Sequence, residues 1–208
     1  MLDGRRLAPW LLLPALLAGC QAAQGAADPA PSASDSTSAK AKDNAEPDPN
    51  DPSTLAASVR THSKAAGVDP VLVMAILWNE SYKLHDAGTQ KLWLAMNPGA
   101  SLGVANMHEA AYTDTARGRD FAKRPWQDLA DDPDLAIEAE AWYLHDLAKQ
   151  LPAKPKGDLT KNELLALGYN TGPGNMRAFA RGVAPGPMAS TYLKELRDNW
   201  PKSTAAVG

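Results

Sequence analysis

The chain has 208 residues, 44% of them hydrophobic and 22% charged, which is enough for one good core but short for two. Its formal net charge of -3 and the lack of any dense Lys/Arg block exclude nucleic acid as the main partner, because phosphate binding needs a clustered positive field.

Residues 1–20 read as a targeting segment. Arg5 and Arg6 supply a positive start, and Leu7 to Leu17 form an apolar run of about eleven residues, too short to span a bilayer. The run ends in Leu17-Ala18-Gly19-Cys20, which resembles the bacterial lipobox, where the Cys is lipidated and becomes the mature N-terminus. Cys20 is the single cysteine of the chain, so no internal disulfide can form. An ordinary secretory signal with an incidental Cys is the alternative. The Arg-Arg pair also occurs in twin-arginine signals, whose surrounding pattern is otherwise absent; export is expected and its route stays open. From Gln21 to Pro52 there is no aromatic residue and no Leu, Ile, Val or Met. Such a stretch cannot bury enough apolar surface to offset chain entropy, so residues 21–52 read as a flexible linker before a domain at 53–208.

Within that domain the periods are helical. Thr54 to Ala66 reads as a first helix closed by Gly67. Asp69-Pro70 then gives an N-cap with Pro at the first helical position, and an apolar run from Val71 to Trp78 follows. A helix apolar all round belongs inside a domain. Asp132-Pro133 repeats the start signal ahead of a stripe of Ile137, Ala141, Leu144, Ala148 and Leu151. Thr160 and Glu163 have capping-box spacing before Leu164 and Leu165, which makes Glu163 a cap. No stretch alternates like a strand and no fixed repeat occurs, so the domain is expected to be mainly α.

The stretch "AILWNESYK" places a carboxylate, Glu80, at the end of the apolar run. The negative end of a helix opposes a carboxylate there, and apolar surroundings disfavour its charged form; both effects raise its pKa. A carboxyl that stays protonated near neutral pH is what glycosidic cleavage needs, since the leaving oxygen must receive a proton. A helix-terminal Glu turned to solvent is the plain alternative.

The stretches "GVDPVLVMAILWNES", "SLGVANM", "DPDLAIEAEAWYLHDL", "LALGYNTGPG" and "TYLKEL" resemble, in order, the motifs of the lytic transglycosylase (SLT) domain of the goose-type lysozyme superfamily. The resemblance spans roughly Thr54 to Trp200 and implies a lysozyme-like α-helical domain with a substrate cleft that cleaves peptidoglycan glycan strands. It makes Glu80 the catalytic acid and Ser81 a neighbour lining the cleft. The family's Gly-Leu-Met-Gln falls on Gly103, Val104, Ala105 and Asn106, so the usual sugar-site Gln is here a shorter amide with both hydrogen-bonding functions. The Ala-x-Tyr-Asn-x-Gly motif falls on Ala166 or Gly168 with Tyr169, Asn170 and Gly172, and Tyr192 matches a late Tyr near the acid. Read without the family, 169–174 is a helix ending in Asn and Gly followed by a Pro-Gly turn.

Glu140 stands where the family's helix usually has Gly, and helical spacing puts it on the buried stripe. It is read either as a second carboxylate that activates water or tunes Glu80, or as a residue paired with a nearby Lys, Arg or His or turned along the groove rim. Asp86 and Glu109 are weaker candidates. Trp78, Tyr82, Trp93, Trp142, Tyr143 and Tyr169 fall near the motifs and suit sugar stacking, although core packing accounts for most such rings. His62, His85, His108 and His145 show no metal-ligand spacing, and no metal or cofactor is expected.

The resemblance implies cleavage of the β-1,4 bond between N-acetylmuramic acid and N-acetylglucosamine by one acid/base Glu, giving 1,6-anhydromuramyl ends. A lysozyme-like hydrolase using Glu80 and Glu140, and a peptidoglycan-binding lipoprotein without turnover, remain open alternatives. Expected partners are glycan strands and a membrane reached through a lipid on Cys20; the protein is expected to be a monomer in the cell envelope.

Overall fold

The computed structural model describes residues 51–81 and 86–208. The signal peptide, Cys20, residues 21–50 of the linker, Tyr82 and His85 lie outside the described residues.

Asp51 accepts from the Ser53 N–H and opens a short 3-10 turn, Pro52–Leu55, that leads into α1 (Ala56–Ala66). The first helical stretch is therefore split, with α-helical bonding starting two residues later than Thr54. Gly67, at φ 69°, closes α1 in the left-handed conformation that a side chain resists. Asp69 caps α2 (Pro70–Glu80) by accepting from the Val71 N–H, and every residue from Leu72 to Leu77 is buried. The all-round apolar run thus lies inside the domain, as its pattern requires.

Asp86 caps α3 (Ala87–Met96). A two-residue antiparallel pair follows, β1 (Ser101–Leu102) with β2 (Met107–His108), Ser101 lying opposite His108. No strand is expected from the sequence; two residues per strand are too few for an alternating pattern to register. α4 (Glu109–Ala116) and two 3-10 turns, Asp120–Lys123 and Trp126–Ala130, lead to α5 (Pro133–Ala148), whose cap Asp132 accepts from the Leu135 N–H. Leu151 lies past the end of α5 and packs on the core from the segment beyond it. α6 (Lys161–Thr171) opens with the full Thr160/Glu163 capping box. Gly172 then joins α6 directly to α7 (Pro173–Ala180), so Pro173-Gly174 begins a helix rather than a turn. α8 (Pro187–Val207) closes the domain.

α2 packs most extensively against α8 and also touches α1, α5 and α6. These helices share one hydrophobic cluster that includes Val59, Leu72, Ile76, Leu144, Leu164 and Leu196. A second cluster joins the hairpin, α4 and the 3-10 turns through Leu102, Met107, Tyr112, Phe121, Trp126 and Leu135. α5 serves both, sending Ile137, Ala141 and Leu144 to the first and Leu135, Ala136 and Ala139 to the second. Truncating a fully buried leucine such as Leu72 or Leu144 to Ala typically costs about 2–5 kcal/mol. Among the described residues no helix is long and apolar enough to cross a membrane.

Candidate active site

A cleft of about 980 Å³ brings Glu80, Ser81, Asn106, Tyr169, Asn170 and Tyr192 together from α2, the hairpin, α6 and α8. Six residues singled out by the sequence therefore converge on one surface. Glu80 is the last residue of α2 and is 7% exposed, so its carboxyl stands at the negative end of an apolar helix yet reaches the cleft. Ser81 lines the cleft beside it, but its hydroxyl donates to the Trp78 carbonyl at 2.8 Å and so also satisfies the helix end.

Asn106 sits in the turn between β1 and β2 at φ 47°, the one non-glycine with positive φ among the described residues. Asn tolerates this region better than most side chains. Its Nδ2 donates both to the Glu80 carboxylate, 3.0 Å to Oε2, and to the Glu80 main-chain carbonyl at 3.1 Å. The carbonyl can only accept, which settles the amide's orientation. The turn is held from two sides. Tyr169 donates its hydroxyl to the Ala105 carbonyl at 2.6 Å, and Gly103, at φ 75°, passes so close to the Leu129 carbonyl that a Cβ would lie 2.6 Å from that oxygen.

The floor is pinned by amides that sequence reasoning did not single out. Asn79 donates to the Tyr192 carbonyl at 3.1 Å and accepts from Asn199 at 2.7 Å, tying α2 to α8 directly beneath the acid. Its only sequence signal is its place next to Glu80 in "WNES". The Tyr192 hydroxyl is buried without a hydrogen bond of normal geometry, and burial, then the charges of Glu80 and Glu140, push its pKa well up. Tyr169 is pushed up by burial and then by Glu140 and Glu80.

Glu140 is 0% exposed, and neither carboxyl oxygen has a hydrogen-bond partner among the described residues. Its neighbours on α5 divide between the two clusters, Ala139 in the second and Ala141 in the first, and it does not line the cleft. Among the described residues no ion pair joins it to Lys, Arg or His, and it is not turned along the groove rim. Burial, and after it the Glu80 charge, hold its pKa well above the usual carboxylate range. Among the described residues the other carboxylate on the cleft wall is Glu195, exposed on α8.

The remaining candidates have structural places. Asp86 accepts from the Thr89 N–H at 2.8 Å as a helix cap, and that bond lowers its pKa. Glu109 is exposed in the first turn of α4, away from the cleft wall. Glu163 closes its capping box and also accepts from Arg197 at 2.7 Å. Of the aromatics, Trp78 and Tyr169 line the cleft, with Lys202 Nζ stacked 3.6 Å from the Trp78 ring, while Trp142 and Tyr143 pack against both clusters. Trp93 is half-exposed on α3 and outside the cleft wall. His108 lines the cleft, His62 contacts Asp134 at 3.1 Å and His145 stands edge-on to Trp142. Among the described residues no group of three or more His, Cys, Asp or Glu could hold a metal ion.

A mainly helical domain in which a carboxyl-bearing helix end meets a cleft places this chain among the lysozyme-like α domains. The family model for the transglycosylase SLT domain matches residues 57–184, and the chain belongs to that family. Membership supports peptidoglycan lytic transglycosylase activity in general, with glycan strands of the cell envelope as substrate. No curated protein matches the chain.

Proposed function

We propose that the domain cleaves the β-1,4 bond between N-acetylmuramic acid and N-acetylglucosamine without water, using Glu80 first as acid and then as base. Protonated Glu80 gives its proton to the bridging oxygen as the bond from muramyl C1 breaks, and the N-acetylglucosamine side leaves as an alcohol. The muramyl acetamido oxygen closes onto C1 in the same step. The Glu80 carboxylate then takes the proton of the C6 hydroxyl as that oxygen bonds to C1 and displaces the acetamido oxygen. The product carries a 1,6-anhydro ring and Glu80 is protonated again. Ser81, Tyr169, Asn170 and Tyr192 are the cleft groups that would hold the sugars, with Asn106 beside them.

The observation that carries this reading is the different surroundings of the two carboxyls: Glu80 lines the cleft, while Glu140 is fully buried and off the cleft wall, which argues against its activating a water there. A hydrolytic route would need a carboxylate in the cleft as base, and among the described residues the other one on the cleft wall is Glu195, exposed on α8. We further propose that Cys20 is lipidated, holding the domain at a membrane of the envelope through residues 21–52.

Glu80→Gln keeps the side-chain shape and removes the transferable proton. Digestion of purified cell wall, followed as release of soluble fragments, is expected to fall by about 10²–10⁴-fold, the usual contribution of a positioned general acid. Undiminished digestion by this variant would exclude Glu80 as the acid.

A further inference from the structure

We propose that Asn106 is a positioning residue for the acid: its amide, locked in a left-handed turn, fixes the orientation of the Glu80 carboxyl at the cleft. This rests on the reading of Glu80 as the acid. Both N–H bonds of the Asn106 amide point at Glu80, one at Oε2 and one at the main-chain carbonyl. The donor at Oε2 restrains the rotation of the carboxyl about its last side-chain bond, so the plane in which Glu80 meets the cleft is set by the amide. The second N–H satisfies a carbonyl at the end of α2 that has no partner within the helix, so orientation of the side chain and closure of the helix are joined in one residue.

The left-handed turn explains why this position holds Asn. At φ 47° the amide has to reach back across the turn to the end of α2, and Asn is the side chain that both tolerates this backbone and is short enough to aim from it. The Ala105 carbonyl bond to Tyr169 and the tight passage of Gly103 keep the turn in place. With both donors engaged, Asn106 can offer a sugar only its carbonyl oxygen, which would take an acetamido N–H or a hydroxyl proton. Among the described residues the ionisable groups around Glu80 include Glu140 on α5, Tyr169 on α6 and Tyr192 on α8, with His108 on β2 and Glu195 on α8 along the cleft wall.

Two variants test this on soluble glycan strands. Asn106→Gly removes the amide while accepting the positive φ, so the turn is not strained, although loss of the bond to the α2 carbonyl should lower the melting temperature modestly. Its kcat is expected to drop about 10²-fold with KM little changed, as for a misaligned catalytic group. An N–H to a carboxylate favours the charged form, so losing it raises the acid's pKa, and the alkaline limb of the kcat profile should move to higher pH. Asn106→Asp keeps the shape but replaces the donor by a like charge, and should move that limb further in the same direction. This isosteric variant carries the test if the Gly variant melts early. A raised KM with unchanged kcat, or a lowered kcat with an unmoved alkaline limb, would overturn the proposal. Glu80→Gln, assayed alongside, separates the two levels: an active Glu80→Gln removes the reading of the acid itself, whereas an inactive one with a normal Asn106 profile removes only the role of Asn106.

Discussion

Glu80 and Glu140 carry the same functional group, and burial gives them different chemistry. Glu80 opens onto the cleft and accepts the Asn106 amide; Glu140 has no exposure and no hydrogen-bond partner. Its raised pKa makes a definite statement about stability. An unfolded Glu loses its proton near pH 4.5, whereas folded Glu140 keeps its own well above that. The folded state therefore binds more protons in between, and the protein loses stability as pH rises from the unfolded pKa through the folded one. Gln cannot ionise, so the melting temperature of Glu140→Gln should gain on the parent progressively above pH 4.5 and show its smallest difference near pH 4. A melting difference independent of pH would mean that Glu140 is not held protonated. The sequence pointed to the odd carboxyl on a buried stripe, but could not tell a paired one from an unpaired one, because the absence of a cation is a property of the packed helices around it.

The caps of α2, α5 and α6 were legible as Asp69-Pro70, Asp132-Pro133 and Thr160/Glu163, since each depends on side chains one to three residues from the helix they start. The buried run of α2 was legible for the same local reason. The hairpin was not, although it carries Asn106: its strands are two residues each, and what holds it comes from far along the chain, at Tyr169 and Leu129. Gly172-Pro173 read locally as an end and a turn, whereas packing of α7 on α6 makes it a junction of two helices. Sequence thus placed the acid on its helix and brought most of the cleft residues to notice. It assigned Asn106 to sugar binding because the amide's link to Glu80, 26 residues away, exists only once the turn is folded against α2.

At the scale of the whole molecule, the proposed lipid anchor and the proposed chemistry are tested separately. If a lipid on Cys20 tethers the domain, Cys20→Ser should move the protein from the detergent-extracted membrane fraction to the soluble envelope fraction while the purified domain digests wall as before; unchanged membrane association would argue against the lipid. The domain's chemistry is decided by its product. Digesting purified peptidoglycan with the parent protein and weighing the released disaccharide fragments by mass spectrometry tests most directly whether Glu80 works alone. Muramyl ends lighter by one water than those left by a hydrolase are expected, as the 1,6-anhydro ring requires. Fragments at the full hydrated mass, with no anhydro ends among them, would contradict that expectation.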